Sequence, residues 1–414
     1  MTTTQANADL ARPMKINLAA PPYYVKGLAL GVPAYLIGIH LWTWVFMLPT
    51  FLGGRADFRQ LYTAGYMVRS GHAHQLYDYG AQLYFQNTLV SQHQIALPFI
   101  RPAFEALLFV PFSFLSFQSA YLTFLALNVV LLSASFLLIR GSLEQLHVYR
   151  WFPAVLFLAF LPAAAALMQG QDSILLLLLL TGAFLALKSD HECTAGVLLG
   201  LGTFKFQIII PILLLFSIWK RKRFVLGCLA TALMLAAFSI AIAGISQTSV
   251  YLHSLLAPPY PLPLNLMPNL RGLTFGLLGS HVSASLMTVI TLSMSGLVIV
   301  WVARSKPKRT SEALLVAMPT SCLVSYYLLI HDLSILLLSI LIVLNRFIGS
   351  ESAGNLRGRL TVRSAALLFV APALMSWAPS YFFLASLPLL LYTFVSSNSF
   401  CAKADKDFAL RGRE

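Results

Sequence analysis

The stretch with the clearest chemical potential is Arg55-Ala56-Asp57-Phe58-Arg59-Gln60-Leu61-Tyr62, which follows directly on the apolar run from Gly27 to Phe51. A run of roughly 25 apolar residues can cross a bilayer. Asp57 therefore falls at a membrane–water interface, where a carboxylate is partly desolvated yet within reach of water-soluble and lipid-borne groups. Moving a group from a membrane-borne phosphate to a hydroxyl needs such a carboxylate to accept the hydroxyl proton, and cations or hydrogen-bond donors to hold the departing phosphate. Asp57 suits the first task. Arg101, Lys205, Arg271 and His331 are candidates for the second, guanidinium groups matching phosphate oxygens in pairs and lysine acting as a point charge. The chain has no phosphate-binding Gly-rich loop closed by Lys-Ser/Thr, no His-Glu-x-x-His and no Gly-x-Ser-x-Gly. A lipid phosphate donor fits better than a soluble nucleotide. No cofactor and no metal ligand set is implied, with a divalent ion left open.

The elements that must position these residues are membrane helices. With 58% hydrophobic and only 10% charged residues and a mean hydropathy of +0.78, the chain is far more apolar than a soluble domain, which is about a quarter charged. The fold class is all-α, a polytopic membrane protein of about ten to twelve spans. Runs near 27–51, 102–117, 118–139, 151–168, 172–188, 195–219, 223–245, 282–303, 312–330, 332–348, 363–378 and 380–397 are the candidates. The 28 Lys and Arg residues against 14 acidic ones lie in short clusters between these runs, which reads as topology signal and contact with anionic lipid headgroups rather than nucleic-acid binding. Cys193, Cys228, Cys322 and Cys401 have no metal spacing.

The positive-inside rule places the N-terminal segment 1–26 in the cytoplasm and Asp57 on the far side of the membrane. A single transmembrane domain, 27–397, carries long extracytoplasmic loops at 51–101 and 246–281, and a basic cytoplasmic tail covers 398–414. Clusters at Lys220-Arg221-Lys222-Arg223, Arg304 to Arg309, Arg346 to Arg363 and Lys403 to Arg413 share one face. Arg140 and Arg150 conflict with this scheme, because charge places them inside and span counting places them outside. One segment between 102 and 219 is therefore broken or re-entrant. The candidate is 195–219, where Gly196, Gly200 and Gly202 precede Lys205 and Pro211 interrupts the run. In the first loop, helical spacing of Phe58, Leu61, Tyr62, Gly65 and Val68, and of Ala81, Tyr84, Phe85, Thr88 and Leu89, predicts two interfacial helices broken at Ser70-Gly71. Asp57 with Gln60 also fits a capping box. In the second loop the run Pro258-Pro259-Tyr260-Pro261 prevents a regular helix.

The succession of Asp57, then Gly71 through Tyr77-Asp78, Arg101-Pro102, Gln169-Gly170-Gln171-Asp172, Ala195 to Gly200 leading to Lys205, Asn269-Leu270-Arg271-Gly272 and His331-Asp332-Leu333 resembles glycosyltransferase family 87. The resemblance covers roughly residues 25 to 350. That family includes polyprenol-phosphate-mannose-dependent mannosyltransferases, so the resemblance implies a GT-C architecture with an extracytoplasmic active site in the inner (plasma) membrane. It further implies a hexosyl donor on a polyprenyl monophosphate, a lipid or glycan acceptor, Asp57 as general base, and inversion in one displacement. Arg271, Arg101, Lys205, His331, Asn269 and Gln171 are the expected donor and substrate contacts, with Asp332, Tyr62 and Tyr77 as supports behind them. Arg101-Pro102 departs from the paired prolines common in the family at this point.

Each of these residues also has a plainer reading. Gln169-Gly170-Gln171 can be a helix break, Lys205 can snorkel to an interface, Arg271 can pin its loop to headgroups, and Asp332 can cap the helix that follows it. His72 and His74 read as solvated, and Leu175 to Leu180 as lipid-facing. Two competing functions are a transporter or flippase for lipid-linked sugars, for which no internal repeat is visible, and a lipid-linked oligosaccharide polymerase or ligase working from a diphosphate carrier.

Overall fold

The computed structural model describes residues 23–144, 146, 151–256, 262–348 and 356–400. Expectations that concern residues 1–22, Arg150, Pro258 to Pro261, and Cys401 with the basic tail fall outside this range. Among the described residues the only regular secondary structure is helix, covering 83% of the chain with no strands. Eight helices are long and apolar enough to cross a membrane, nine if one bent pair is a single span. Helix α1 (Tyr23–Thr50) leaves large apolar side chains uncovered, Tyr35, Leu41, Trp42, Val45 and Phe46 all being 60% exposed or more. Only a hydrocarbon solvent makes that surface stable.

Past α1 the chain builds a small layer from α2 (Phe58–Arg69), α3 (Tyr79–Leu89) and α4 (Ala103–Phe109). Residues 58–65 are all buried, so α2 has both faces covered by protein. The anchor is Phe58, whose ring lies 5.1–6.2 Å from those of Tyr62, Phe109, Phe112, Phe117, Tyr121 and Phe124. Such aromatic clusters combine large apolar burial with edge and stacking terms, and this one fixes the position of the preceding residue, Asp57. The expected span 102–117 does not form. Two turns of helix stop at Val110-Pro111, since proline cannot donate the next helical hydrogen bond, and the chain folds back beside α2.

This correction removes the charge conflict. Helix α5 (Phe117–Ile139) begins beside the Asp57 layer, where the Tyr121 hydroxyl donates to the Met168 carbonyl at 2.7 Å, and ends at Arg140. Arg140 thus lies at the opposite end from Asp57. Helices α6 (Phe152–Ala159) and α7 (Leu161–Gln169), bent by 57°, return to the Asp57 end. Helix α8 (Ser173–Lys188) runs back, and Lys188 Nζ donates to Ser142 Oγ at 2.9 Å.

The segment Glu192–Ile218, although one of the eight by length, is not a single pass. It comprises α9 (Glu192–Leu201), a 3₁₀ turn Gly202–Lys205 and α10 (Phe206–Ile218). A straight helix of 27 residues would separate its ends by about 40 Å, yet the Glu192 carboxylate is 3.7 Å from the Arg221 guanidinium. The segment is a re-entrant hairpin with Lys205 at its apex, as the glycines and Pro211 led us to expect. Helix α11 (Lys222–Leu256) packs tightly along α9. A Cβ on Gly196 would fall on the Phe224 carbonyl and one on Gly227 on the Cys193 carbonyl, so backbone closeness is what these glycines serve.

After α12 (Leu270–Leu278), the helices α13 (Ala284–Ala303), α14 (Thr310–Val324), α15 (Leu336–Ile348, entered by a 3₁₀ turn from Ile330), α16 (Leu356–Met375) and α17 (Ser386–Ser399) alternate between the two ends. Ten passes result among the described residues once the hairpin is set aside and the short helices α8 and α14 are included. Arg140, Lys188, Lys220 to Arg223, Arg304 to Arg309, Arg346 and Arg357 gather at one end. Leu176, Leu177 and Leu180 are buried against protein, which corrects the lipid-facing reading of that run: α8 is a central helix of the bundle.

Candidate functional site

At the end away from the basic clusters, five separate stretches bring charged and amide side chains into one closed circuit. The Asp57 backbone N–H donates to Gln169 Oε1 at 3.2 Å, and Gln171 Nε2 donates to Asp57 Oδ2 at 2.7 Å. Arg101 NH2 donates to Gln171 Oε1 at 3.2 Å, and its NH1 donates to Asp172 Oδ2 at 2.7 Å. Lys205 Nζ lies 2.9 Å from Asp172 Oδ1 and also pairs with Asp332 Oδ1. His331 closes the loop, Nε2 standing 3.6 Å from Asp332 Oδ1 and Nδ1 3.9 Å from Asp57 Oδ2.

Local structure dictates these positions. Gly170 ends α7 in the left-handed region (φ 62°), and a Cβ there would stand 2.7 Å from Phe58 Cβ; only glycine fits, and it turns Gln169 and Gln171 toward Asp57. Asp57 precedes α2 but its carboxylate does not cap the helix, which corrects the capping-box expectation. Gln60, the supposed partner, lines the cavity beside it. Asp332 has a structural hold of its own, since Oδ2 accepts from the Leu329 N–H at 3.0 Å and Oδ1 from Ser173 Oγ at 3.2 Å.

The circuit is nearly dry except at one point. The Arg101, Asp172, Lys205, His331 and Asp332 side chains are at most 8% exposed, whereas Asp57 is 23% exposed. Asp57 opens onto a cavity of about 510 Å³, within the usual size of ligand sites. Its floor holds Asp57, Gln171, Arg101, His331 and Asp332, and its walls Ile95, Leu97, Phe206, Leu255, Leu262 and Tyr326. A polar floor under apolar walls suits an amphiphile.

The remaining expected residues lie farther out. Lys205 is beneath the floor, committed to two carboxylates. Asn269 caps α12 through the Gly272 N–H and donates to the Ser325 carbonyl at 2.8 Å. Arg271 sits behind the wall, 3.8 Å over the ring of Tyr326. Tyr62 donates to the Leu115 carbonyl inside the aromatic cluster, and Tyr77 donates to the Arg101 carbonyl, both at 2.8 Å. Burial keeps the Tyr77 phenol well above its ordinary pKa and so protonated for that bond.

Four contributors escaped the sequence reading. Gln169 and Asp172 stand only within the Gln169-Gly170-Gln171-Asp172 stretch of the family resemblance, which can equally be a helix break. Arg59 is 8% exposed, with Nε and NH1 lacking a hydrogen-bond partner; its charge neighbours Asp57 and Tyr79 both line the cavity. Glu105, fully buried, has no donor to either oxygen, and burial together with the Asp172 carboxylate pushes its carboxyl well above the usual range. A charge inside an apolar run was the available signal for Asp172 and Glu105.

Among the described residues no group of three or more His, Cys, Asp or Glu side chains is arranged to hold a metal ion. A family model described as glycosyltransferase family 87 matches residues 99–329. No curated protein and no solved structure matches the chain.

Two expectations follow from the electrostatics. Removing one partner of a buried charge network costs about 3–5 kcal/mol, so Lys205→Ala, which strands Asp172 and Asp332, should lower the thermal midpoint in detergent markedly; an unchanged midpoint would contradict the buried cross-link. Glu105 keeps its proton when folded and loses it at ordinary carboxyl pH when unfolded. Its contribution is therefore present at low pH and lost as pH rises toward the elevated folded value. The wild type should lose thermal stability over that alkaline-going window relative to Glu105→Gln, and parallel pH profiles for the two proteins would refute the assignment.

Proposed function

Because the chain belongs to glycosyltransferase family 87, we propose that this membrane glycosyltransferase moves a hexose such as mannose from a polyprenyl-phosphate donor to a hydroxyl acceptor held beside Asp57. The observation that supports the reading is the position of Asp57: of the circuit's three carboxylates it lines the cavity with the most exposed side chain, 23% against 2–3% for Asp332 and Asp172. Both of its side-chain contacts fall on Oδ2, which leaves Oδ1 for the acceptor. The acceptor oxygen attacks the anomeric carbon and forms the new C–O bond as its proton passes to Oδ1. The bond from the anomeric carbon to the phosphate oxygen breaks, the electron pair leaves with the phosphate, and the configuration inverts. Gln171 holds Asp57 in place, and His331 adds a polarisable neighbour between it and Asp332.

The leaving phosphate needs cations. Arg101 lines the cavity and is assigned to the phosphate; Arg59, buried beside Asp57 with Nε and NH1 unpaired, lies outside the lining and supports that side of the site. The apolar walls take the first isoprene units of the donor, and the acceptor is a lipid or glycan hydroxyl. Since the basic clusters gather at the opposite end, the site faces the extracytoplasmic side of the plasma membrane, as in a GT-C transferase.

Purified Asp57→Asn should keep a near-wild-type thermal midpoint and lose transfer from polyprenyl-phosphate hexose by about a hundredfold or more, the scale of a general base. Undiminished turnover would end the proposal, and transfer from diphosphate carriers alone would move the enzyme to the polymerase and ligase class. Orientation is tested separately. In intact cells His74→Cys, on the exposed turn after α2, should react with a membrane-impermeant maleimide; protection until the cells are opened would invert the topology.

A further inference from the structure

The other end of the bundle holds a second cavity, of about 590 Å³, at the ends of α8, α14, α15 and α17. Helix α8 alone, 16 residues from Ser173 to Lys188, separates it from the Asp57 circuit by about 24 Å. Among the described residues Lys188, Lys308, Arg309 and Arg346 line it beside the carboxylate of Glu312. Among the described residues the lining is therefore predominantly cationic.

The walls are braced. Asn345 Nδ2 donates to the Ser142 carbonyl at 3.0 Å and its Oδ1 accepts from the Leu146 N–H at 3.1 Å, tying α15 to the end of α5. Arg346 pairs with Glu312 and lies 4.9 Å over the ring of Phe400. Topology signalling requires only that basic residues lie in the connectors. It does not require three separate stretches to turn their cations into one concavity whose floor also includes Leu315 and Ile342.

We propose that this cavity is a binding site for a phosphate-bearing headgroup, supplied either by an anionic phospholipid of the adjoining leaflet or by a free phosphate. Arg346 and Arg309 contact the phosphate oxygens, the lysines complete the charge balance, and the apolar patch meets the glycerol and first methylenes of a lipid. The site is independent of the transferase reading.

Native mass spectrometry of the purified full chain, titrated with phosphatidylglycerol or phosphatidylethanolamine, tests it. Wild type should retain phosphatidylglycerol in preference. At about 1 kcal/mol per basic residue at such a surface, Lys308→Gln with Arg309→Gln should weaken that retention about tenfold or more. Lys222→Gln with Arg223→Gln removes two charges at the same end but outside the cavity, and should change retention less than about twofold. If the first pair fails to fold, Lys188→Gln alone should still weaken retention severalfold. Displacement of the lipid by millimolar inorganic phosphate assigns recognition to the phosphate group alone, and resistance to displacement assigns it to phosphate and chains together. Equal retention of the two lipids, or equal losses in the two double variants, overturns the proposal.

Discussion

A lysine ammonium buried at 1% exposure between two carboxylates is the constraint on which the rest of this structure depends. An isolated charge in an apolar interior is too costly to persist, so Lys205 at the tip of its hairpin demands Asp172 from the start of α8 and Asp332 from the entrance to α15. Asp172 in turn demands Arg101, and Arg101 is tied through Gln171 to Asp57. Each link satisfies the previous one and commits another segment of chain. Covalently distant stretches are thereby held in register by electrostatics, with the Phe58 aromatic cluster supplying the packing that no charge pair provides.

The circuit also divides labour. Its interior members neutralise one another and are shut away from water, so they act as a frame. Asp57 stands at the edge, held by an amide and approached by His331 only at 3.9 Å, and so it keeps a carboxylate oxygen for chemistry.

Much of this was legible in the sequence because a bilayer penalises stray polarity. Asp57, Lys205 and His331-Asp332 attracted notice at the ends of or within apolar runs, Arg101 as a candidate phosphate cation and Gln171 through the family resemblance, and they do converge. The reading failed where composition has no means of telling neighbours apart. Leu176 to Leu180 is as apolar against protein as it would be against lipid, so the central place of α8 could not be read. Residues 102–117 are apolar enough to span, and only Pro111 with the burial of Arg101 and Glu105 turns them into a folded-back layer. Nothing in the sequence marked Asp172 as the partner of Arg101 and Lys205, or Glu105 as its neighbour, because those contacts join stretches far apart in the chain. Asn269 and Arg271 belong to the right loop, but pattern alone did not reveal that one caps a helix and the other braces a tyrosine from behind.

The hairpin carrying Lys205 has a consequence for biogenesis. Asp332 lies 127 residues downstream of Lys205, so a ribosome delivers the ammonium while one of its two counter-ions is still unmade. During that interval the tip is half-compensated, and full compensation must wait until Asp332, in the turn before α15, has been synthesised. Completion of the Asp57 circuit therefore waits on a segment about four fifths of the way along the chain, and a polypeptide truncated before Asp332 cannot close it.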